Sequence, residues 1–238
     1  MLFQGEHLGL LVGRSGIHAY DLRRREDLGT YQDTVLALAP WKGRRAKVTA
    51  VLSDAYCRYA ICARPAGLRT PAEVQAAAKS RIRALYGDVE GWPVRVSAAP
   101  FASTDFAVAV DAAVLTDIEG CIRASGLRLA SVRPHWLAWL RAVQPGLRRG
   151  DHWVLAQESE WVGIGYLSQG RCMHVRSVRV EEHPLCVNVL LARERALLPT
   201  ADFDATVWLM GGEVPNLARL DCGAPFKAMP STFLWGLG

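Results

Sequence analysis

Lysine is scarce in this 238-residue chain: only Lys42, Lys47, Lys79 and Lys227 of the 28 basic residues are Lys, and the rest are Arg. Such a bias is what a GC-rich coding sequence yields, so a formal charge of +5 and a pI near 9.0 do not indicate nucleic-acid binding. The Arg runs at 23–25, 44–45 and 148–149 are dispersed along the chain and read as solvated faces. The mild positive balance favours an acidic partner or a membrane surface. Long apolar runs are also missing. No stretch reaches the roughly 18 uninterrupted apolar residues of a spanning helix, and no basic region followed by an apolar core marks a signal sequence; the expectation is a soluble chain that is not exported. The six cysteines (57, 62, 121, 172, 186 and 222) never fall as Cys-x-x-Cys and have no His at zinc-finger spacing, which argues against a metal site and for reduced, buried thiols. The six His are scattered, and His152, His174 and His183 lack a carboxylate or nucleophile at a recognisable spacing.

Apolar material is plentiful: half the residues are hydrophobic and 21% are charged. A chain of this length buries roughly 70–75% of its unfolded surface, enough for one large domain or two intimate lobes. Residues 8–13 and 16–22 are short β-prone runs joined by Arg14-Ser15 between two glycines, and they predict a hairpin. Residues 47–52 and 55–63, separated by Ser53-Asp54, predict a second hairpin or meander. Thr70-Pro71-Ala72-Glu73 has the form of a capping box with Pro at the first helical position, and Val74, Ala78, Ile82 and Leu85 continue at helical spacing up to Gly87. Strands are expected at 93–98 and 105–110, then a helix capped by Asp111 and ending at Gly126, a strand at 127–132, and a helix opened by Pro134 that carries Trp136 and Trp139. Helical spacing sends at least one of these indoles into the core; an aromatic pair on a helix also suits a partner surface. The turn-rich segment 144–151 reads as a boundary between lobes 1–147 and 148–238. Beyond it come strands at 152–158, 161–167 and 171–180, a helix near 184–198, and a strand at 205–210 that runs into Gly211-Gly212. Each half begins with a meander and crosses through a helix to a further strand, so an α/β fold of two lobes with mixed sheets is predicted.

In this order of elements the chain resembles the actin-like superfamily, an ATPase fold of ribonuclease H-like type. Within it the likeness is to the cytoplasmic domain shared by the type II secretion L component and the type IV pilus M component. Leu8–Tyr20 is similar to the first phosphate hairpin, matching at Gly9, Leu10, Val12, Gly13, Ser15 and Ile17. Val154–Val178 is similar to the second, with a glycine-containing turn at Leu167–Gly170 leading to a strand that bears Arg176. Leu209–Leu217 resembles the adenosine-side Gly-Gly loop and the helix after it. Leu52-Ser53, Arg58-Tyr59, Tyr86-Gly87, Val110-Asp111 and Pro134 resemble the secretion L component in particular. The resemblance implies a vestigial nucleotide cleft formed by Gly13, Gly211 and Gly212.

The departures carry more than the matches. Active members place an Asp in each phosphate hairpin to hold Mg²⁺ and the attacking oxygen. The resemblance aligns Leu11 and Ala156 with those positions, Glu158 with the second loop's Gly, Trp161 with its phosphate-binding Thr, and His18 with the Lys of the second strand. Leu and Ala ligate neither metal nor water, and Glu158 brings bulk and negative charge to where backbone N–H groups approach phosphate. As displaced metal ligands, Glu158 and Asp21 are less favoured than as solvated strand-end acids. The implied protein is a non-catalytic scaffold without cofactor or metal, cytoplasmic and peripheral to the inner membrane. Its implied partners are inner-membrane assembly proteins, their cytoplasmic tails or an assembly ATPase, and not nucleic acid. The alternative is an active ATP-binding ATPase or sugar kinase of the same superfamily. A ribonuclease H-like nuclease needs convergent carboxylates, and the strand ends offer mostly apolar residues and Arg.

Overall fold

A computed structural model describes residues 6–62, 70–87, 89–98, 105–158, 160–180, 187–198, 201, 204–211 and 226–229. Strands β1 (Glu6–Gly13), β2 (Gly16–Asp21) and β3 (Glu26–Tyr31) form an antiparallel meander, with Leu8, Leu10 and Val12 of β1 turned into the core at period two. After the short helix α1 (Thr34–Leu38), β4 (Ala46–Leu52) returns parallel to β1, and β8 (Arg128–Pro134) lies parallel to β4 on its far side. The sheet order is β3-β2-β1-β4-β8.

The second sheet repeats this plan. Strands β9 (Asp151–Glu158), β10 (Trp161–Ser168) and β11 (Arg171–Arg179) form a meander, α5 (Val187–Leu197) follows, and β12 (Thr206–Met210) and β13 (Phe226–Met229) add in parallel, giving β11-β10-β9-β12-β13. Both meanders and both parallel additions agree with the mixed sheets expected from the sequence.

The expected pairing of 47–52 with 55–63 does not occur. β4 is buried along almost its whole length, as a strand held between two parallel neighbours must be, so neither edge is left for a hairpin partner. Ser53 Oγ accepts from the Ala55 amide at 3.1 Å, and a 3-10 turn over Asp54–Tyr56 sends β5 (Cys57–Cys62) away into a separate sheet, β5-β7-β6, with β6 (Val94–Ala98) and β7 (Asp105–Val110). One face of that small sheet packs on α2 (Pro71–Tyr86) through Ala107, Ala109, Ala78 and Ile82. The Thr70–Glu73 capping box is formed, with hydrogen bonds of 2.8 and 3.2 Å. Helix α3 (Ala112–Ala124) starts from the Asp111 carboxylate, which accepts from Ala113 N and Val114 N.

Helix α4 (His135–Val143) follows β8 directly and is the joint of the molecule. Trp136 and Trp139 are both fully buried, so neither ring serves as an exposed partner surface. They belong to one core cluster that also contains Leu10 and Val51 of the first sheet and Val154, Ala156, Trp208 and Met210 of the second. Cys57, Cys62 and Cys172 are buried free thiols and Cys121 is a half-buried one; burial pushes Cys172 up to about 12, keeping it protonated. Cys186 and Cys222 lie outside the described residues.

Candidate functional site

Four chain segments converge where the two sheets meet: the end of β1, the turn after β4, the start of α4 and the end of β9. Ser53 N donates to Val12 O at 2.9 Å, which sets Asp54 beside the first hairpin. Asp54 is fully buried, and its Oδ1 accepts from the Tyr59 hydroxyl and from Trp136 N at 3.2 Å, while Oδ2 lies 3.4 Å from His135 Nδ1. His135 Nε2 accepts from the Trp139 indole N–H at 3.0 Å, which assigns the imidazole proton to Nδ1, facing Asp54. Glu158 reaches in from β9, its Oε2 3.8 Å from the same Nδ1 and its side chain 13% exposed. Two carboxylates thus share one imidazole in a largely dry place.

Burial pushes the Glu158 carboxyl above its ordinary range, with the Asp54 charge adding to the effect and His135 opposing it. Burial acts to lower the His135 pKa, but the Asp54 hydrogen bond and the Glu158 and Asp54 charges outweigh it and the net direction is up. A proton added at Nε2 would have to displace the Trp139 N–H, so protonation here is tied to how α4 packs. Among the described residues no group of three or more His, Cys, Asp or Glu has the geometry of a metal centre.

The two hairpin turns face each other across this cluster. A Cβ placed on Gly13 would stand 2.9 Å from Glu158 Oε1, so the glutamate occupies the space directly over that glycine. At the rim, Arg14 from the first turn stacks on Trp161 from the second at 5.9 Å, and Arg58 lies over Trp161, Trp92 and Tyr86 at 5.4 to 5.8 Å. Below, the Trp136 indole donates to Val154 O at 3.1 Å and stacks on Phe106 at 6.0 Å. It lies flat on β10, where only glycine fits: a Cβ at Gly165 would meet Trp136 Cζ2 at 2.2 Å, and one at Gly163 would meet Asp54 Oδ2 at 2.5 Å.

The residues singled out from the sequence are only partly brought together. Gly13 lies at the cluster, as does Gly211, in the left-handed region at φ +74°, where a Cβ would stand 2.6 Å from Gln157 O. Gly212 and 215–217 lie outside the described residues. Leu11 packs against the core and Ala156 lies within it. The turn that faces the first hairpin is the one after Glu158; Leu167–Gly170 lies at the opposite end of β10, where Gln169 N donates to Gly150 O. Arg176 turns away to pair with the buried Glu194 at 3.2 Å, which also bonds His174 at 3.0 Å. Asp21 lies at the end of β2 remote from Gly16 and is occupied by the amides of Arg23 and Arg24, so it is no cleft ligand. Sequence reasoning missed Asp54 and His135. Ser53-Asp54 looks like an ordinary turn and His135 like the polar start of an apolar helix, since their pairing spans 81 residues.

A second feature lies between the first sheet's edge and the face of the small sheet opposite α2. Val108 and Val110 of β7, Leu115 of α3, Val132 of β8 and Leu137 of α4 line an apolar groove of about 300 Å³, with Arg95 and Glu119 at its rim.

No protein-family model matches the chain, and no curated protein sequence does. Solved structures do match. The type IV pilus biogenesis complex PilM–PilN contains a chain with TM-score 0.68 at 16% identity, covering 94% of this chain and 88% of that one. The cytoplasmic domain of EpsL, an inner-membrane component of the type II secretion system of Vibrio cholerae, gives 0.59 at 14% identity, covering 96% and 92%. A Bacteroides thetaiotaomicron protein described as having an actin-like ATPase fold and unknown function gives 0.62 at 11%, covering 95% and 91%. The fold is actin-like. Within the actin-like frame, the hairpin turns at Gly13 and Glu158 and the strand end at Gly211 are the three points that close on the buried Asp54–His135–Glu158 cluster.

Proposed function

We propose that this actin-like chain is a non-catalytic scaffold that works on the cytoplasmic face of the inner membrane, in a type IV pilus or type II secretion machine, where its first lobe (1–147) grips the tail of a membrane protein. The observation that carries this reading is the filling of the space between the hairpin turns. A magnesium triphosphate needs free backbone amides and oxygen ligands aimed at the cation. Here Glu158 stands over Gly13, Leu11 and Ala156 supply no ligand, and the nearest carboxylates are engaged with His135 or pressed against a desolvated interior. The residues present do not fit that group. The continuous core through Trp136 also opposes the opening and closing of two lobes around a nucleotide.

The likeness to a chain of the PilM–PilN complex supports a role in holding a protein partner, for which we propose an extended tail. The groove between β7, α3 and β8 suits one: its floor is apolar and its rim carries one charge of each sign. The test is co-purification from a bacterial membrane extract, comparing the native chain with V132E/L137E, whose altered side chains lie half-exposed in the groove. The expected result is a bitopic membrane protein of a pilus or secretion system that the variant no longer retains. Equal retention by both proteins, or recovery of soluble enzymes only, would overturn the reading.

A further inference from the structure

The buried cluster lies at one end of the first sheet, and the other end carries charge. The β2–β3 turn presents Arg23, Arg24 and Arg25; the segment entering β4 presents Lys42, Arg44, Arg45 and Lys47; the α3–β8 turn presents Arg123 and Arg128. Sheet register holds these three places together. Leu8 pairs with Asp21, His7 with Lys47 and Lys47 with Arg128, and Leu22 N donates to His7 O at 2.8 Å. All nine side chains are exposed.

Acids at this end are few and partly committed. Glu6 pairs with Arg44 at 3.4 Å, Asp21 is buried and binds the amides of the Arg turn, Asp27 is held 3.0 Å from His18, and Glu26 completes the set. Nine basic residues against these four acids and Asp117 on the flank leave +4, most of the formal net charge of +5 of the whole chain. Runs that look dispersed along the sequence are gathered by the meander and the parallel returns onto one surface.

The surface has the character of a broad electrostatic contact. Trp41 is buried beneath Arg44, whose guanidinium lies 5.3 Å from the ring, and Tyr20 is buried with its hydroxyl donating to Arg25 O at 2.8 Å. Asp117 lines, with Lys42, the shallow groove on its flank between α1 and α3. No aromatic ring is among the exposed large apolar side chains, so the stacking platforms that hold single-stranded nucleic acid are missing from the described residues. An anionic leaflet needs neither pocket nor stacking: it attracts clustered Lys and Arg roughly additively over a Debye length.

We propose that this basic end of the first sheet docks on an anionic bilayer surface. The proposal deepens the scaffold reading by naming the face turned to the membrane, and it is separable from the groove, which lies elsewhere on the fold. The experiment is sedimentation of the full chain with vesicles of phosphatidylglycerol and phosphatidylethanolamine, against vesicles of phosphatidylcholine alone, at low and high salt. The native chain is expected to sediment with the anionic vesicles only and to be released by salt. R25E/R45E/R128E, one change from each segment, should lower partitioning by at least about tenfold. K79E/R81E/R83E on α2, with the same change in net charge, should leave it nearly intact, and both variants should melt like the native chain and still retain the groove's partner. Equal loss in the two variants, equal binding to phosphatidylcholine, no binding to either vesicle, or displacement by duplex DNA at lower concentration than by anionic vesicles would each overturn the proposal. Loss of the groove's partner in V132E/L137E with vesicle binding unchanged would separate the two readings.

Discussion

Gly165→Ala tests the joint between the two sheets. The added methyl would stand 2.2 Å from Trp136 Cζ2, 2.9 Å from Cη2 and 3.1 Å from His174 O. The indole cannot retreat cheaply, because its N–H is bonded to Val154 O and its face is stacked on Phe106. Overpacking a tight core costs about 1–3 kcal/mol, and a contact this short against a pinned ring belongs at the upper end, about 3 kcal/mol. For a chain of this size each kcal/mol lowers Tm by about 2–4 °C, so Gly165→Ala should melt about 6–12 °C below the native chain in a calorimetric or circular-dichroism scan. In a Trp136→Phe background, where the clashing part of the indole is gone, the same substitution should cost under about 1 kcal/mol. A Gly165→Ala protein that melts with the native chain, or one whose loss is the same in both backgrounds, would refute the account of Trp136 as the wedge between sheets.

The folded state holds a proton on Glu158 to higher pH than the unfolded chain does, so this group's stabilisation is complete below the ordinary carboxyl range and is lost as pH rises through the raised value. His135, raised as well, acts in the same direction. Melts at about pH 5 and about pH 8 should therefore show a smaller drop with rising pH for Glu158→Gln than for the native chain, and an unchanged slope would remove the carboxyl from the cluster. Thr70→Ala removes the side-chain half of the α2 capping box and should cost about 1 kcal/mol, read as a Tm lower by about 2–4 °C.

How much of this was legible in the sequence follows from the range of the interactions. The capping box of α2, the Asp111 start of α3 and the Gly13–Gly16 hairpin are local, and their residue types state the backbone conformation outright. The mixed sheets followed from the alternation of meanders and crossovers. The segment 23–46, with β3 and α1, carries weaker periodicity and drew no assignment. The β4–β5 hairpin failed because strand propensity does not say which partner a strand takes; double-sided burial of β4 decided that. Glu158 was legible as an obstacle at the second loop, while its partners were not, since Asp54 and His135 stand far apart in sequence and meet it only in the folded chain. The basic end went unseen for the same reason: its runs are far apart in sequence and adjacent only by register.

A thermal melt of the native chain with and without magnesium and ATP, run alongside an assay for ADP release on the same sample, tests most directly whether side chains fill the space a nucleotide would need. A ligand present at 100 times its Kd stabilises the folded state by about 2.7 kcal/mol, a shift several degrees wide and easily seen. Superimposable melts and ADP release no faster than in buffer are expected. A melt raised by several degrees in the presence of ATP, or turnover that scales with protein concentration, would contradict that filling.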